Sequence, residues 1–379
     1  MKKTLLAAAV LAGFAGAAQA ETSVTLYGIV DVGVGYQQVK GGGIDKASRV
    51  GLIDGVQSGS RWGLRGSEDL GDGLRAIFTL ESGFNSRTGN SGQGGRLFGR
   101  QATVGLAADS WGTLTIGRQT NVSSDFFGSI DPFAASYGQS HAGAAFGQIA
   151  TLRYDNAVKY LTPSFGGFQV GALYSFDVNE GSTSGGSSGT GFQTNEKDRA
   201  INAGIRYVNG PLNVAASYDR LNRRSSVSSS DDRINAWLVG GTYDFEVVKL
   251  ALAYGQSKDG WIGAAAPALQ SGSLASAGIT SDYNTYVYQN DLKVKSYLVG
   301  LSAPIGPGNL FGSWHRADPN QDVGGVADSD STQNTYSLGY TYDLSKRTNV
   351  YAYGSYSKNY AFLDDVKSTA VGVGLRHRF

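Results

Sequence analysis

Residues 371–379 read Val371-Gly372-Val373-Gly374-Leu375-Arg376-His377-Arg378-Phe379. In an extended chain successive side chains point to opposite sides, so Val371, Val373, Leu375 and Phe379 share one face and Gly372, Gly374, Arg376 and Arg378 the other. One face suits hydrocarbon and the other suits water. A soluble β-sandwich would have to hide those arginines in its core, whereas a membrane barrel turns the apolar face to lipid and the basic face to an aqueous interior.

The same period of two runs through the rest of the chain. Val24, Leu26, Gly28, Val30, Val32 and Val34 lie opposite Thr25, Tyr27, Ile29, Asp31 and Gly33, and Leu74, Ala76, Phe78 and Leu80 lie opposite Arg75, Ile77, Thr79 and Glu81. Sixteen strands are expected, at 24–39, 58–70, 73–84, 97–108, 112–121, 152–163, 167–178, 198–209, 211–223, 232–244, 247–258, 291–303, 308–317, 332–344, 347–359 and 367–379. Their connections alternate in length. Tight turns such as Leu70-Gly71-Asp72-Gly73, Asn209-Gly210-Pro211 and Asp343-Leu344-Ser345-Lys346 alternate with long segments at 40–57, 85–96, 122–151, 179–197, 224–231, 259–290, 318–331 and 360–366. Short turns at one end and long loops at the other define an all-β fold, a sixteen-stranded antiparallel transmembrane up-and-down β-barrel, whose closure also removes sheet edges. The Ser/Gly-rich runs at 181–191 and 269–278 read as loop tips rather than linkers. Tyr36, Tyr174, Tyr207, Tyr243, Tyr254, Tyr342 and Tyr351 near strand ends suit aromatic girdles at the two membrane interfaces.

Composition narrows the function. Among 379 residues there is no Cys and there are three His, which excludes disulfide frameworks, thiolate nucleophiles and zinc–thiolate sites. Lys and Arg number 32 against 31 Asp and Glu, with no block of like charge, so a nucleic-acid partner is not expected. Lys2 and Lys3, an apolar stretch from Leu5 to Ala15, and Ala18-Gln19-Ala20 read as a secretory signal peptide over 1–20, leaving the barrel as the single domain 21–379. Losing Lys2 and Lys3 with the signal takes the formal charge from +1 to −1. No run of 18 apolar residues follows, so no helical span is expected. Enzyme chemistry is not expected either, because His141, His315 and His377 have no evident triad partners. Asp318-Pro319-Asn320-Gln321-Asp322 spaces oxygen ligands like the start of a calcium loop but places Val323 where the turn requires Gly, and no metal site or cofactor is assigned.

Several stretches carry a family resemblance. Ser60-Arg61-Trp62-Gly63-Leu64-Arg65-Gly66-Ser67-Glu68-Asp69-Leu70-Gly71-Asp72-Gly73, Arg100-Gln101-Ala102-Thr103-Val104-Gly105-Leu106, Gly112-Thr113-Leu114-Thr115-Ile116-Gly117-Arg118-Gln119, Asn156-Ala157-Val158-Lys159-Tyr160 and Pro163-Ser164-Phe165-Gly166-Gly167-Phe168, with Phe379, resemble the Gram-negative trimeric general porins of the neisserial and β-proteobacterial type. The resemblance runs from Val24 to Phe379. It implies a homotrimer in the bacterial outer membrane, surrounded by lipid and lipopolysaccharide, in which each subunit passes ions and small hydrophilic solutes by diffusion. It further implies that the barrel-assembly machinery reads the C-terminal strand ending in Phe379, and that the third loop, 122–151, folds into the lumen as a constriction. The alternative is a substrate-selective channel of the same fold for a sugar, phosphate or organic acid, for which Phe126, Phe127, Phe133, Tyr137 and Phe146 would supply an aromatic sliding surface.

Asp125 and Asp131 are the constriction loop's only acids, and opposed arginines on the wall are expected to face them. By resemblance Arg61, Arg100 and Arg153 hold those wall positions, and strand phase adds Arg65 and Arg75. Asp131 precedes Pro132, whereas enteric relatives carry the acid just after proline, so the resemblance leaves the pairing across the pore open. Strict alternation aligns Arg118 with outward Leu114 and Ile116, which points to a contact with a neighbouring subunit, since arginine facing lipid is costly. Local positive charge at the narrowest point is expected to outweigh the chain's −1 and to give a weak anion preference.

Overall fold

The computed structural model describes residues 23–150, 152–178, 198–222, 233–262 and 286–379. The expected signal peptide, the expected loops at 179–197 and 224–231 and most of that at 259–290, with both Ser/Gly-rich runs, lie outside the described residues.

Seventeen strands are formed among the described residues. They are β1 (Ser23–Gly41), β2 (Ile44–Asp54), β3 (Arg61–Gly71), β4 (Leu74–Gly83), β5 (Gln101–Ala108), β6 (Gly112–Thr120), β7 (Arg153–Leu161), β8 (Phe168–Ser175) and β9 (Arg199–Asn209). The remainder are β10 (Leu212–Asn222), β11 (Arg233–Asp244), β12 (Lys249–Ile262), β13 (Tyr286–Ile305), β14 (Gly308–Pro319), β15 (Gln333–Asp343), β16 (Thr348–Lys358) and β17 (Lys367–Arg378). Every pairing is antiparallel, and β1 pairs with β17, which closes the sheet.

Sixteen of these strands make the ring, as expected. The additional one, β2, comes from a segment expected to be loop. It runs along the loop end of β1 (Val32 opposite Asp54, Tyr36 opposite Val50), while β3 takes the turn end of the same edge (Ser23 opposite Ser67, Ile29 opposite Arg61). The two therefore share one neighbour position, separated by residues 55–60, where the chain leaves the sheet. Arg49, Gly51 and Ile53 weaken an alternation that composition alone does not mark as strand.

Exposure follows strand phase. Val34, Val373 and Leu375 are exposed outward, as are Val104, Ile116, Leu252 and Leu338. The seam is closed by the last residue: Phe379 N donates to Gly28 O, and Gly28 N to Phe379 O, each at 3.1 Å. A Cβ on Gly28 would lie 2.2 Å from the Phe379 ring, so glycine there leaves the space the ring fills.

The barrel interior is not empty. The segment between β6 and β7 turns inward, beginning with the short helix α1 (Val122–Phe127), whose N-terminus is capped by Asn121 Oδ1 accepting from Ser124 N at 3.1 Å. Val122, Phe126, Phe127, Ile130, Phe146 and Ile149 are buried against inward residues of β8 to β13, including Leu173, Ala200, Ala215, Leu238, Val294 and Leu298. The third loop is thus a plug packed on one side of the lumen.

Candidate pore constriction

Polar contacts fix the loop as firmly as its apolar face does. Asn121 Nδ2 donates to Asp219 Oδ1 of β10 at 2.9 Å, and Val122 N to Asn202 Oδ1 of β9 at 2.6 Å. The Ser123 hydroxyl donates to Asp219 and accepts from Asn202 Nδ2 at 2.9 Å. Room for this approach comes from glycine: a Cβ on Gly171 would lie 2.8 Å from Val122, and one on Gly147 would overlap the Ile262 carbonyl. Further along, Phe133 and Tyr137 pack with Phe311 and Tyr351, and Gln139 Nε2 donates to Ser355 Oγ at 2.9 Å.

The two loop acids do not face the arginine wall. Asp125 pairs with Lys159 of β7 (Nζ to Oδ2, 2.7 Å) and accepts from the Thr120 hydroxyl at 2.7 Å. Asp131 turns into the loop and accepts three backbone N–H groups at 3.0 Å, from Phe133, Ala135 and Ala142. It bends a segment in which Ala134, Ala135 and Tyr137 have positive φ. Burial pushes the Asp131 carboxyl up to about 6 against the pull of those N–H groups. Burial and the neighbouring His315 push His141 down to about 3. The expected opposition of Asp125 and Asp131 to the wall is therefore corrected: one acid is neutralised at the base of the loop and the other folds it.

The acid that meets the wall is Glu81 of β4. Its carboxylate accepts from Arg100 Nε at 2.6 Å and from the Tyr27 hydroxyl at 3.0 Å, with Arg61 Nη1 at 3.9 Å. Arg61 Nε is held by the Gly59 carbonyl at 2.8 Å. Arg153 is close to Arg100, Arg118, Arg61 and Glu81. Three of the expected wall residues, Arg61, Arg100 and Arg153, are thereby brought together.

Arg65 and Arg75 are not in this group. Arg65 shares the inward phase of Arg61 but lies four residues nearer the turn end, with its guanidinium over the Tyr27 ring at 5.4 Å. Arg75 lies at the turn itself, half-buried and paired with Asp109 at 2.9 Å. Phase gave their side but not their depth: the six residue steps of strand from Arg75 to Glu81 amount to about 20 Å.

Arg118 is also corrected. The β6–β7 register shifts between Gly117 and Gln119, and Gly117 has φ +122, so the alternation that aligned Arg118 with Ile116 is broken. Its Nη1 donates to Asp155 at 2.5 Å, beside Arg96 on the same carboxylate oxygen at 2.8 Å, and its Nε donates to the Gly99 carbonyl at 2.7 Å. The need that assigned it to a neighbouring subunit is met within the chain.

Between the wall and the loop lies a cavity of ≈1850 Å3. Arg49, Arg61, Arg87, Arg96, Arg100, Arg118, Arg153, Arg376 and Arg378 line it, and Asp54 is the one carboxylate among the lining residues. Asp31, Glu81 and Asp155 stand behind it as partners. Asp31, opposite Arg376 in register, accepts from the Tyr351 hydroxyl and Ser58 N, each at 2.6 Å. Sequence reasoning missed Glu81 as a site residue although its inward phase and its place between the strands of Arg61 and Arg100 could have found it. It missed Arg49, Arg87 and Arg96 because they sit in segments expected to be loops. No cluster of three His, Asp or Glu suited to a metal occurs among the described residues.

A wide closed barrel with a plug on one wall and charged residues on the other defines a diffusion channel. The model of the Gram-negative porin family matches residues 7–361, and the chain belongs to that family. An outer membrane porin protein of Bordetella pertussis is 57% identical over the whole of both chains. Outer membrane porin protein 32 of Delftia acidovorans is 34% identical, covering 98% of this chain and 92% of that one. Among solved structures, an anion-selective porin from Comamonas acidovorans superposes with a TM-score of 0.70 at 28% identity, over 95% of this chain and 100% of that one. The protein is an outer-membrane porin whose water-filled barrel passes ions and small hydrophilic solutes by passive diffusion.

Proposed function

We propose that the pore is weakly anion-selective, its preference set by the arginine wall rather than by net charge. The observation that carries this is the lining of the cavity, nine arginines and one carboxylate. Even with Asp31, Glu81 and Asp155 counted against them, the excess is positive. It is confined where ions must pass within about one Debye length, ~8 Å, of the wall. The Comamonas relative's description as anion-selective supports the same reading. In a potassium chloride gradient across a planar bilayer the reversal potential should carry the anion-selective sign. A cation-selective sign would sink the proposal.

A substrate-selective channel is disfavoured by the placement of the loop aromatics. Phe126, Phe127, Phe133, Tyr137 and Phe146 are at most 4% exposed and offer no sliding surface. We read the protein as a channel without catalytic function. His141 Nδ1 is occupied by Gly143 N, His315 Nε2 meets the Gln139 carbonyl, and His377 Nδ1 meets the Thr348 hydroxyl.

The mature chain is proposed to begin at Glu21, to insert through the barrel-assembly machinery by way of Phe379, and to form homotrimers through its first strands among lipid and lipopolysaccharide. Deleting Phe379 should impair insertion in cells. The paired hydrogen bonds and ring contact with Gly28 give that residue a second reason to matter, at seam closure.

A further inference from the structure

Register leaves a remainder beside β1. Asp54 of β2 lies opposite Val32 and Arg61 of β3 opposite Ile29, so six residues, 55–60, connect positions that two residues of β1, Val30 and Asp31, separate. Four of the six are in excess of the ladder. A six-residue excursion, out and back, reaches about 10 Å from the sheet at most.

It turns inward, organised by one carboxylate residue. Gly55 N and the Ser60 hydroxyl both donate to the Asp31 carbonyl, at 2.9 Å and 3.1 Å, which pins the two ends of the excursion together. The Asp31 carboxylate accepts from Ser58 N at 2.6 Å and so holds its middle. Gly55 has φ +62, and a Cβ there would lie 2.8 Å from Gly59 Cα, so the narrow neck favours glycine.

The excursion touches both sides of the passage. Towards the plug, the Val56 carbonyl accepts from Tyr137 N of the third loop at 2.6 Å, and Val56 packs on the cluster of Phe133, Tyr137, Phe311 and Tyr351. Towards the basic wall, the Gly59 carbonyl holds Arg61, and a Cβ on Gly59 would lie 3.1 Å from Arg100 Nη1. From β17, Arg376 Nη1 donates to Ser58 Oγ at 3.0 Å, and from β16 Asn349 Nδ2 donates to Gln57 Oε1 at 3.1 Å. Residues 55–59 are half-buried and line the cavity, at the depth of the arginine wall. The run Gly55-Val56-Gln57-Ser58-Gly59-Ser60 carries no charged side chain.

We propose that residues 55–60 form a second lip of the pore and set its size limit for uncharged solutes. The third loop narrows the lumen from the side of β8 to β13, and the lip closes the gap between that loop's Tyr137 and the arginine wall. Their junction is a backbone hydrogen bond, so the rim of the aperture is continuous from β7 through the third loop to β3. A neutral lip narrows the passage without changing the sign of its field. Size and charge are therefore selected by different residues. The proposal rests on the reading of the chain as a diffusion channel and is independent of its anion preference.

The test deletes 56–59 from the full-length porin. Gly55 and Ser60 then fill the two-residue gap opposite Val30 and Asp31, so the ladder can run through. Single-channel conductance should rise about 1.5-fold, and liposome swelling in the trisaccharide raffinose about fivefold, with little change in glucose, because narrowing discriminates most against the largest solute. The reversal potential should keep its sign. Conductance and raffinose entry equal to wild type would overturn the proposal. A second variant leaves the lip in place: the chain has no cysteine, so Ser58→Cys offers a single thiol that replaces a hydroxyl. Reaction with a bulky thiosulfonate should then lower conductance by about half, since the added group lies in the aperture. The same treatment of Ser48→Cys, exposed on the outward face of β2, should leave conductance unchanged. A Ser58→Cys thiol that does not react, or reacts without effect on conductance, would place the segment outside the passage and overturn the proposal. Either failure would leave the anion-selective sign of the wild type as it is, so the two readings fall separately.

Discussion

The two inner walls of the barrel obey the same strand phase and yet are different materials. On β9 to β13 the inward residues, among them Ala200, Ala215, Ile234, Leu238, Val294 and Leu298, are buried beneath the third loop and behave as protein core. On β3, β7 and β17 they are Arg61, Arg153 and Arg376, facing the cavity, with Glu81 of β4 behind them as a partner. A barrel interior is thus polar only where it meets water, and apolar where the chain folds back on it. What decides between them is which side the loop leans on. Asn202 and Asp219 direct it, because Asn121, Val122 and Ser123 find their partners there.

The most disruptive way to break this asymmetry is to remove the plug. Deleting 126–146 should raise single-channel conductance by roughly twofold or more, since the open cross-section then approaches that of the barrel. It should also bring the apolar wall into contact with water. An unchanged conductance would mean that the loop does not limit the passage.

Altering the basic wall should change sign rather than size. Arg61→Ala with Arg100→Ala should move the reversal potential towards cations at nearly constant conductance. Glu81→Gln should move it the other way, by less, because Glu81 is the carboxylate that tempers those two arginines. If Glu81→Gln shifted the potential towards cations, the pairing described here would be wrong.

The loop anchors can be tested by stability. Asp219→Ala removes one acceptor from Asn121 Nδ2, which keeps the Gln148 carbonyl, and one from the Ser123 hydroxyl, which keeps Ser217 Oγ, a loss of about 1–3 kcal/mol in all. The heat-unfolding midpoint of the folded barrel should fall. Larger open-channel noise should accompany it, reporting a loosened loop.

The smallest effect is in pH. Asp131, raised to about 6, binds its proton more tightly in the folded than in the unfolded state, so its contribution to stability declines as pH rises from about 4 to 6. His141, lowered to about 3, works oppositely: its contribution is lost as pH falls from about 6.5 towards 3. The two offset one another in the wild type. An Asp131→Asn variant should therefore show a steeper loss of thermal stability on acidification than the wild type, and a His141→Gln variant a gain. Identical pH profiles in all three proteins would show that neither group holds its proton differently in the folded and unfolded states.

Strand phase was legible because its cause is local. Alternation along Val24–Val34 and Val371–Phe379 reflects lipid on one side and water on the other, and sixteen such segments with alternating short and long connections leave few architectures besides a barrel. Tight turns at 70–73, 209–211 and 343–346 were readable for the same reason, since Gly, Asn, Asp and Pro act on their own backbone. The same local reading failed where a single residue broke the alternation, as Gly117 does beside Arg118, and where β2 extended the sheet through a segment of mixed polarity.

Depth and partnership were decided by the tertiary structure. Arg61 and Arg75 have the same phase, but only the register of β3 on β4 sets one at the cavity and the other at a turn. Asp125 and Asp131 read alike as lumen acids until the fold gives one to Lys159 and the other to three backbone N–H groups. Sequence fixes the side on which a strand residue emerges because that depends on two bonds of backbone. Which charge it meets there depends on register, closure and the path of a loop, and Asp31 lies beside Arg376 only because the first strand pairs with the last.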